Sequence, residues 1–514
     1  MLTNGGSAID ATIAAQLVLG VVEPQSSGIG GGAVVLYRES TFGPVRAFDG
    51  LARSPSGYDG RASSVSGFSH SGASVAVPGA TRLMALLHAR YGKLPWRTLF
   101  EPAVRIAEAG LRVPSYLAHS LEVATRAGFT PPPWLRGSAN EPARAGSFIR
   151  NEELAATMRE IAQNGPDAFY VHLAGDIVSA VRSSSLPGEM TEKDISNYAA
   201  VERTPLCTIL HQLRMCAFPP PSYGGVALLE ILELLDQLHA GKPNFLSANF
   251  VHLFVEAGKI AQMDRLSSIG DPDVGKLSAA PLLERSHIAQ RAALIDRTHA
   301  IKAPETGTGD GQPCRSAARP PAPSTTQITV VDQWGGALTM TTTINVNFGA
   351  WLPVHGFFLN DAMTNFTLSS DSRCTANAPA GNKRPETSMA PVIVMDRTGR
   401  TILLGGSAGG GETVDYVAQA LLELAYGASP IEALDSGHVS TSRSPYSDTP
   451  GLAELEHGRG VVALVAQLEQ LGHTVKVVPL RSGLGFLKWQ QGVWQGAADP
   501  RRDGNWVAGK AKPH

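Results

Sequence analysis

Charge is scarce in this chain and evenly divided. Charged residues make up 17% of the 514, and 43 Lys and Arg face 45 Asp and Glu, for a net charge of −2. A nucleic-acid binder normally carries a basic face, so no nucleic-acid partner is expected. Only four cysteines are present, Cys207, Cys216, Cys314 and Cys374, and none forms a Cys-x-x-Cys pair. Four cysteines allow three pairings; the plain reading is free thiols with at most one bridge, which fixes no compartment. The histidines are scattered without a His-Glu-x-x-His motif, so no metal site is expected. No apolar run reaches the roughly 18 residues of a membrane helix. The longest candidate, Ala11 to Val22, is preceded by Asp10, and no membrane span is expected. The first basic residue is Arg38, so the positive start of an export signal is missing. As written, the chain reads as cytoplasmic. A periplasmic or secreted location goes with a truncated start, because the sequence opens inside a helical pattern at Ser7–Ala15.

Apolar residues are plentiful, at 43%, and 54 glycines with 35 prolines imply many tight turns. The length suggests about three domains or one large α/β unit. Residues 7–22 read as an apolar helix. Ser26-Ser27-Gly28-Ile29-Gly30-Gly31-Gly32 then leads into a short buried strand at 33–37. The glycine run lacks a following Gly-Lys-Ser/Thr and precedes a strand, so it reads as close backbone packing and not as a phosphate loop. Helical patterns follow at 79–91, 100–110, 151–164, 226–239 and 249–266. A capping box is expected at Thr191–Asp194. Residues 303–324 are rich in Pro, Gly, Ala, Ser and Thr, have no periodic apolar face, and read as a flexible connector. Directly after it come strand, turn and strand at 327–332, 333–336 and 337–343. Further strands are expected at 356–359, 391–395, 401–405 and 474–479, and helices at 415–426 and 461–471.

A connector that ends at Ser324 against a strand carrying Thr325-Thr326 suggests a specific chemistry. Cutting the Ser324–Thr325 bond would leave Thr325 as an N-terminal threonine. Such a residue holds nucleophile and base together, because its α-amine has a reference pKa of about 7.7–8.0 and can take the hydroxyl proton. The same three residues would also serve as an ordinary polar start to a strand.

The surrounding motifs bear on the choice between these. Gly5-Gly6-Ser7-Ala8-Ile9-Asp10-Ala11, Gly28-Ile29-Gly30-Gly31-Gly32, Val77-Pro78-Gly79 and Pro219-Pro220-Pro221-Ser222-Tyr223-Gly224-Gly225 occur in order. They are followed by Asp264-Arg265, Gly270-Asp271-Pro272-Asp273, Thr325-Thr326-Gln327-Ile328-Thr329-Val330-Val331-Asp332, Thr343-Ile344-Asn345, Lys383 through Pro391, and Gly406-Ser407-Ala408-Gly409-Gly410. With these motifs the sequence resembles the γ-glutamyltranspeptidases, members of the N-terminal-nucleophile hydrolases, over nearly its whole length. The resemblance implies an α+β fold, a four-layer αββα sandwich. It implies one precursor that cuts itself into a large subunit, residues 1–324, and a small one, residues 325–514. The two would stay packed together, act on a small-molecule substrate, and need no metal or organic cofactor.

Carried over position by position, the resemblance makes Thr325 the nucleophile and Thr343 the threonine that orients it. Gly409 and Gly410 become the backbone donors of the oxyanion hole. Asn345, Thr387 and Ser388 match positions that hold the α-amino and α-carboxylate groups of a glutamyl substrate. Other positions depart from the pattern. Leu51 stands where the family usually has an arginine for the α-carboxylate, with Arg53 two residues on as a stand-in. Ala362 and Asn365 stand where Gln and Asp commonly meet the α-amino group, with Asp361 nearby to compensate. Losing a bidentate arginine contact is not conservative. The expected activity is therefore hydrolysis or transfer of a γ-glutamyl group through Thr325. Two alternatives stay open: the same chemistry on a non-glutamyl acyl amide, as in cephalosporin acylases, or an unprocessed, inactive binding module.

Overall fold

Two facing sheets position everything that follows. The computed structural model describes residues 1–137, 140–275, 278–301, 323–368, 376–441 and 452–509. The first sheet holds Gly32–Arg38 at its centre, antiparallel to Arg46–Gly50 on one side and to Ala337–Val346 on the other. Pro323–Val331 forms one edge, beside Ala337–Val346, and Val201–Arg203 forms the other. The second sheet runs in the order Val493–Ala498, Gly485–Gln490, Thr401–Gly406, Val392–Met395, Leu213–Ala217, Leu206–Leu210.

The two-residue period of a strand sorts side chains between layers. Val34 and Leu36 pack between the sheets with Phe218, Ile393 and Leu404. Their neighbours Ala33, Val35 and Tyr37 point the other way, into a helical layer that includes Ile9, Ile13 and Leu17 of helix Ala8–Val22. On the far side, Val392, Val394 and Leu403 meet helices Tyr223–Gln237, Ala248–Ser268 and Thr413–Ala425. The result is the αββα sandwich. At 43% apolar content, the chain fills one core on each outer face of the sheet pair.

Local signals explain the helix starts. Ser7 and Asp10 form a reciprocal capping box on Ala8–Val22, and Thr191 with Asp194 forms another on Glu192–Ser196. Asn151 caps Glu152–Asn164, which stops at Gly165 with φ of 74°. Cys207 and Cys216 face each other in the hairpin of the second sheet and are disulfide-bonded; Cys314 and Cys374 lie outside the described residues. The glycine run packs as its composition suggests. A Cβ at Gly30 would meet the Phe358 carbonyl oxygen at 2.1 Å, and one at Gly31 would meet that of Thr343 at 2.1 Å.

Three expectations need correction. The connector does not extend to Ser324: Pro323 and Ser324 already belong to the strand Pro323–Val331, while 303–322 lie outside the described residues. The helix expected at 461–471 is a 3-10 turn, Gly460–Leu464, followed by a short α-helix, Val465–Gln470; the β-branched pair Val461-Val462 favours α-helix least at that start. The strand expected at 356–359 shrinks to Phe357–Phe358, paired with Pro353–Val354.

Candidate active site

The Ser324–Thr325 bond sits in an edge strand at an irregularity. Ser324 pairs with Asn345 and Thr326 with Thr342, so the register slips at Thr325. Bulges of this kind bend a strand and re-aim a side chain. Beyond it the pairs Gln327–Thr341 and Thr329–Thr339 turn their polar side chains toward the second sheet. There Thr329 and Thr339 donate to the carbonyls of Gly485 and Gly405, both at 3.0 Å. Gln327 accepts from Thr341 and donates to Thr339, each at 2.8 Å. The strand bearing Thr325 is thereby fastened across the sandwich.

Thr343 is the hub. Its hydroxyl donates to the Ser324 carbonyl oxygen at 2.5 Å and accepts from the Thr325 hydroxyl at 3.2 Å. The Asn345 backbone N–H donates to Thr343 Oγ1 at 2.8 Å. A hydroxyl has one donor and two acceptor positions. With all three engaged, the Thr343 proton points at the Ser324 carbonyl and the Thr325 proton points at Thr343. Thr325 is only 6% exposed, so water does not compete for these bonds.

Asn345 has φ of 81°, the left-handed region that Asn tolerates better than most residues. Its side chain donates to Thr364 Oγ1 at 2.8 Å. Asp361 is fully buried, and one of its oxygens accepts from the Val346 N–H at 3.1 Å. Burial pushes its carboxyl up to about 7, against the pull of that backbone bond and of Asn345 and Thr364. Asp361 therefore braces the end of the Thr343 strand from behind.

A small cavity opens beside Thr343. Asn345, Asn365 and Thr387 line it, together with Leu51, Ala362 and Glu386. The three departures from the family pattern, Leu51, Ala362 and Asn365, thus all line one cavity. Arg53 is turned elsewhere: its guanidinium donates to the Asn197 carbonyl at 3.4 Å and lies over the Tyr198 ring. Ser388 donates to the Gly410 carbonyl at 2.5 Å, so it steadies the glycine turn. Gly409 and Gly410 have φ of 136° and 69°, and a Cβ at Gly409 would lie 2.6 Å from the Tyr416 ring. They lead into the turn Gly410–Glu412, which packs on the strand Pro323–Val331 and precedes helix Thr413–Ala425. The first N–H groups of such a turn have no partner within the helix and favour an anion.

Sequence reasoning passed over several groups around Thr325. Glu23 accepts from Thr326 Oγ1 at 3.0 Å, and Ser27 donates to the same hydroxyl at 3.3 Å. Ser324 donates to Ser26 at 2.8 Å. Arg502 donates to the Thr325 carbonyl at 3.0 Å. Glu386 is raised above the usual carboxylate range by burial, opposed by the buried Arg265 guanidinium 2.5 Å away. Ser26 and Ser27 stood beside the glycine run, which was the one local signal; Glu23 and Arg502 had none.

Two buried groups elsewhere have metal-ligand residue types. In one, His252, Glu256 and His473 lie with Lys259, whose ammonium pairs with Glu256. In the other, Glu230, Asp264 and His287 lie with Arg291, which engages both Asp264 oxygens at 2.8 Å. In each, a side chain of the protein already supplies the cation.

Known proteins resemble this chain in sequence and in fold. The glutathione hydrolase proenzyme of Escherichia coli is 29% identical, over 99% of this chain and 89% of its own length. The acylase ACY 1 proenzyme of a Pseudomonas species is 30% identical, over 99% of this chain and 90% of its own. The crystal structure of cephalosporin acylase from Bacillus halodurans superposes with a TM-score of 0.85 at 24% identity, over 99% of this chain and 93% of that one. The family model described as gamma-glutamyltranspeptidase matches residues 1–509. The chain belongs to the gamma-glutamyltranspeptidase family of enzymes.

Proposed function

We propose that this chain is a self-processing threonine hydrolase and acyltransferase that cleaves γ-glutamyl amides through Thr325. The observation that carries the proposal is the Thr343 hydroxyl, which bridges the Thr325 hydroxyl and the Ser324 carbonyl oxygen. In maturation, the Thr325 oxygen attacks the Ser324 carbonyl carbon. Its proton passes to Thr343 as the Thr343 proton moves onto the carbonyl oxygen. Collapse breaks the Ser324–Thr325 C–N bond, the Thr325 nitrogen takes a proton, and an ester remains. Water hydrolyses the ester to a Ser324 carboxylate and the Thr325 hydroxyl, which now stands beside its own free α-amine.

In turnover that amine accepts the hydroxyl proton. The oxygen attacks the substrate amide, and the amine hands its proton to the leaving nitrogen. The N–H groups of Gly409 and Gly410 take the oxyanion; one such donor is typically worth roughly 100- to 1000-fold in rate. Water or an amino acceptor then releases the acyl group. Residues 1–324 and 325–514 remain one body, because the Gly32–Arg38 and Ala337–Val346 strands of the two parts are paired along their length.

A second reading keeps the chemistry and changes the acyl group. Leu51 and Ala362 give the cavity wall two apolar groups, and Arg53 is committed to Asn197 and Tyr198. An acyl side chain lacking the α-amino acid head suits such a wall. Initial rates on a γ-glutamyl anilide and a glutaryl anilide separate the two. The γ-glutamyl reading expects the first to be the better substrate by at least about tenfold, a difference of about 1.4 kcal/mol. Equal rates, or preference for the glutaryl compound, would replace it with the second.

A further inference from the structure

Thr325 is held from the C-terminal end of the chain by a residue outside any motif. Arg502 donates through Nη1 to the Thr325 carbonyl at 3.0 Å and through Nη2 to the Arg481 carbonyl at 3.1 Å. Its guanidinium lies over the Tyr116 ring, 4.8 Å from the centroid. The neighbouring Asp503 accepts from the Tyr116 N–H at 2.8 Å. The side chain is thus locked on three sides. A planar, permanently charged fork on two carbonyls and a ring is a use lysine does not reproduce bidentately.

Covalent geometry fixes what this means for the mature residue. The nitrogen of an amino acid lies within about 4 Å of its own carbonyl oxygen. The Arg502 charge therefore stays on the order of 6 Å from the Thr325 nitrogen. Once that nitrogen is a free amine, protonating it places two cations side by side, the amine on the buried Thr325 and the guanidinium on the half-buried Arg502. The other charged groups facing this corner are Glu23, which holds Thr326 from the C-cap of helix Ala8–Val22, the exposed Asp503 beside Arg502, which together with Arg502 acts on Glu23, and Glu412 in the turn packed on the nucleophile strand.

We infer that Arg502 is a positioning residue for the mature nucleophile: it fixes the Thr325 carbonyl and, by like-charge repulsion, keeps the Thr325 α-amine in its neutral, proton-accepting form. Glu23 works in the opposite sense, favouring the protonated amine. The inference rests on cleavage at Thr325, as proposed above.

The test is the acidic limb of the pH dependence of kcat/KM, which reports the free enzyme's essential base. Its position does not depend on what fraction of a preparation has matured. An opposite-sign pair of variants isolates the charge. Arg502→Met removes the cation and raises the limb by about one pH unit. Arg502→Lys keeps the charge, so its limb stays within about 0.3 unit of wild type while kcat falls with the lost fork. Glu23→Gln lowers the limb. A residue that merely held the fold together would reduce active enzyme in all three without moving the limb. Limbs that all coincide with wild type, or that shift in the same direction for Arg502→Met and Glu23→Gln, overturn the inference. Should Arg502→Met fail to mature, Arg502→Gln, which removes the charge but keeps an N–H donor for the Thr325 carbonyl, makes the same test: a raised limb supports the inference and an unmoved limb overturns it. Failure of the underlying reading appears separately, as a wild-type chain that is never cut.

Discussion

An alanine at Gly31 asks whether the Thr343 hub works by position. A Cβ there would sit 2.1 Å from the Thr343 carbonyl oxygen and 2.9 Å from Ile344 Cγ2. Close carbon–oxygen contacts in proteins are about 3.3 Å. The two backbones must therefore part by about 1 Å, at the end of the strand pair where Gly32 faces Thr343. Overpacking of this kind costs about 1–3 kcal/mol, which a fold of this size absorbs. The chemistry is less tolerant: a displacement near 1 Å at reacting groups costs on the order of 100-fold. Gly31→Ala is expected to fold, with self-cleavage and kcat each slowed by roughly 100-fold. Cleavage is followed on a denaturing gel, turnover with an anilide substrate, and folding by thermal melting. Gly28→Ala is the control, because nothing lies within 4 Å of a Cβ at that position. A Gly31→Ala protein that matures and turns over like wild type, or a Gly28→Ala protein that fails as badly, would refute the reasoning.

Other consequences follow from the same geometry. Thr343→Ala removes the bridge between the Thr325 hydroxyl and the Ser324 carbonyl, and self-cleavage is expected to slow by roughly 100- to 1000-fold; Thr343→Ser restores the hydroxyl and most of the rate, as a gel time course will read. Asp361, pushed up to about 7, holds a proton in the folded state that an unfolded Asp, with its pKa of about 3.9, has released. Its contribution to stability therefore falls as pH rises from about 4 to about 7. Urea unfolding of Asp361→Asn at about pH 5 and about pH 7.5 is expected to show a smaller stability difference than wild type, and an unchanged difference would deny Asp361 this titration.

Much of the frame was legible because it is written locally. The helix at 8–22 is started by Ser7 and Asp10, three residues apart, and the helix at 152–164 by Asn151. The strand-turn-strand from 327 to 343 carries β-branched residues around Gly335-Gly336. The glycines at 30–32 were read as a close approach, and their neighbours prove to be the Phe358 and Thr343 carbonyls. Helix Ser115–Arg126 went unread although Leu117, Leu121 and Ala124 lie on one face; Pro114 precedes it and no side-chain cap marks its start.

The site was legible only in part, for a different reason. Thr325, Thr343, Asn345 and the glycine turn lie in runs whose pattern persists over several residues. Asp361 was assigned to substrate because it neighbours Ala362 and Asn365 in sequence. A 3-10 turn at Ala362–Asn365 separates their directions and buries Asp361 behind Asn345. Arg53 was assigned by nearness to Leu51, but the bridge between Arg53 and Val77 sets its direction toward Asn197. Glu23 and Arg502 reach Thr326 and Thr325 across 303 and 177 residues of chain. No periodicity or spacing encodes a contact of that range when each partner is a single polar residue.

The intact mass of the purified protein, with N-terminal sequencing of its fragments, tests self-cleavage at Thr325 most directly. Two chains are expected, the smaller beginning Thr325-Thr326-Gln327. A single full-length chain that stays intact over days, or a cut at any other bond, would contradict the assignment of Thr325 as nucleophile.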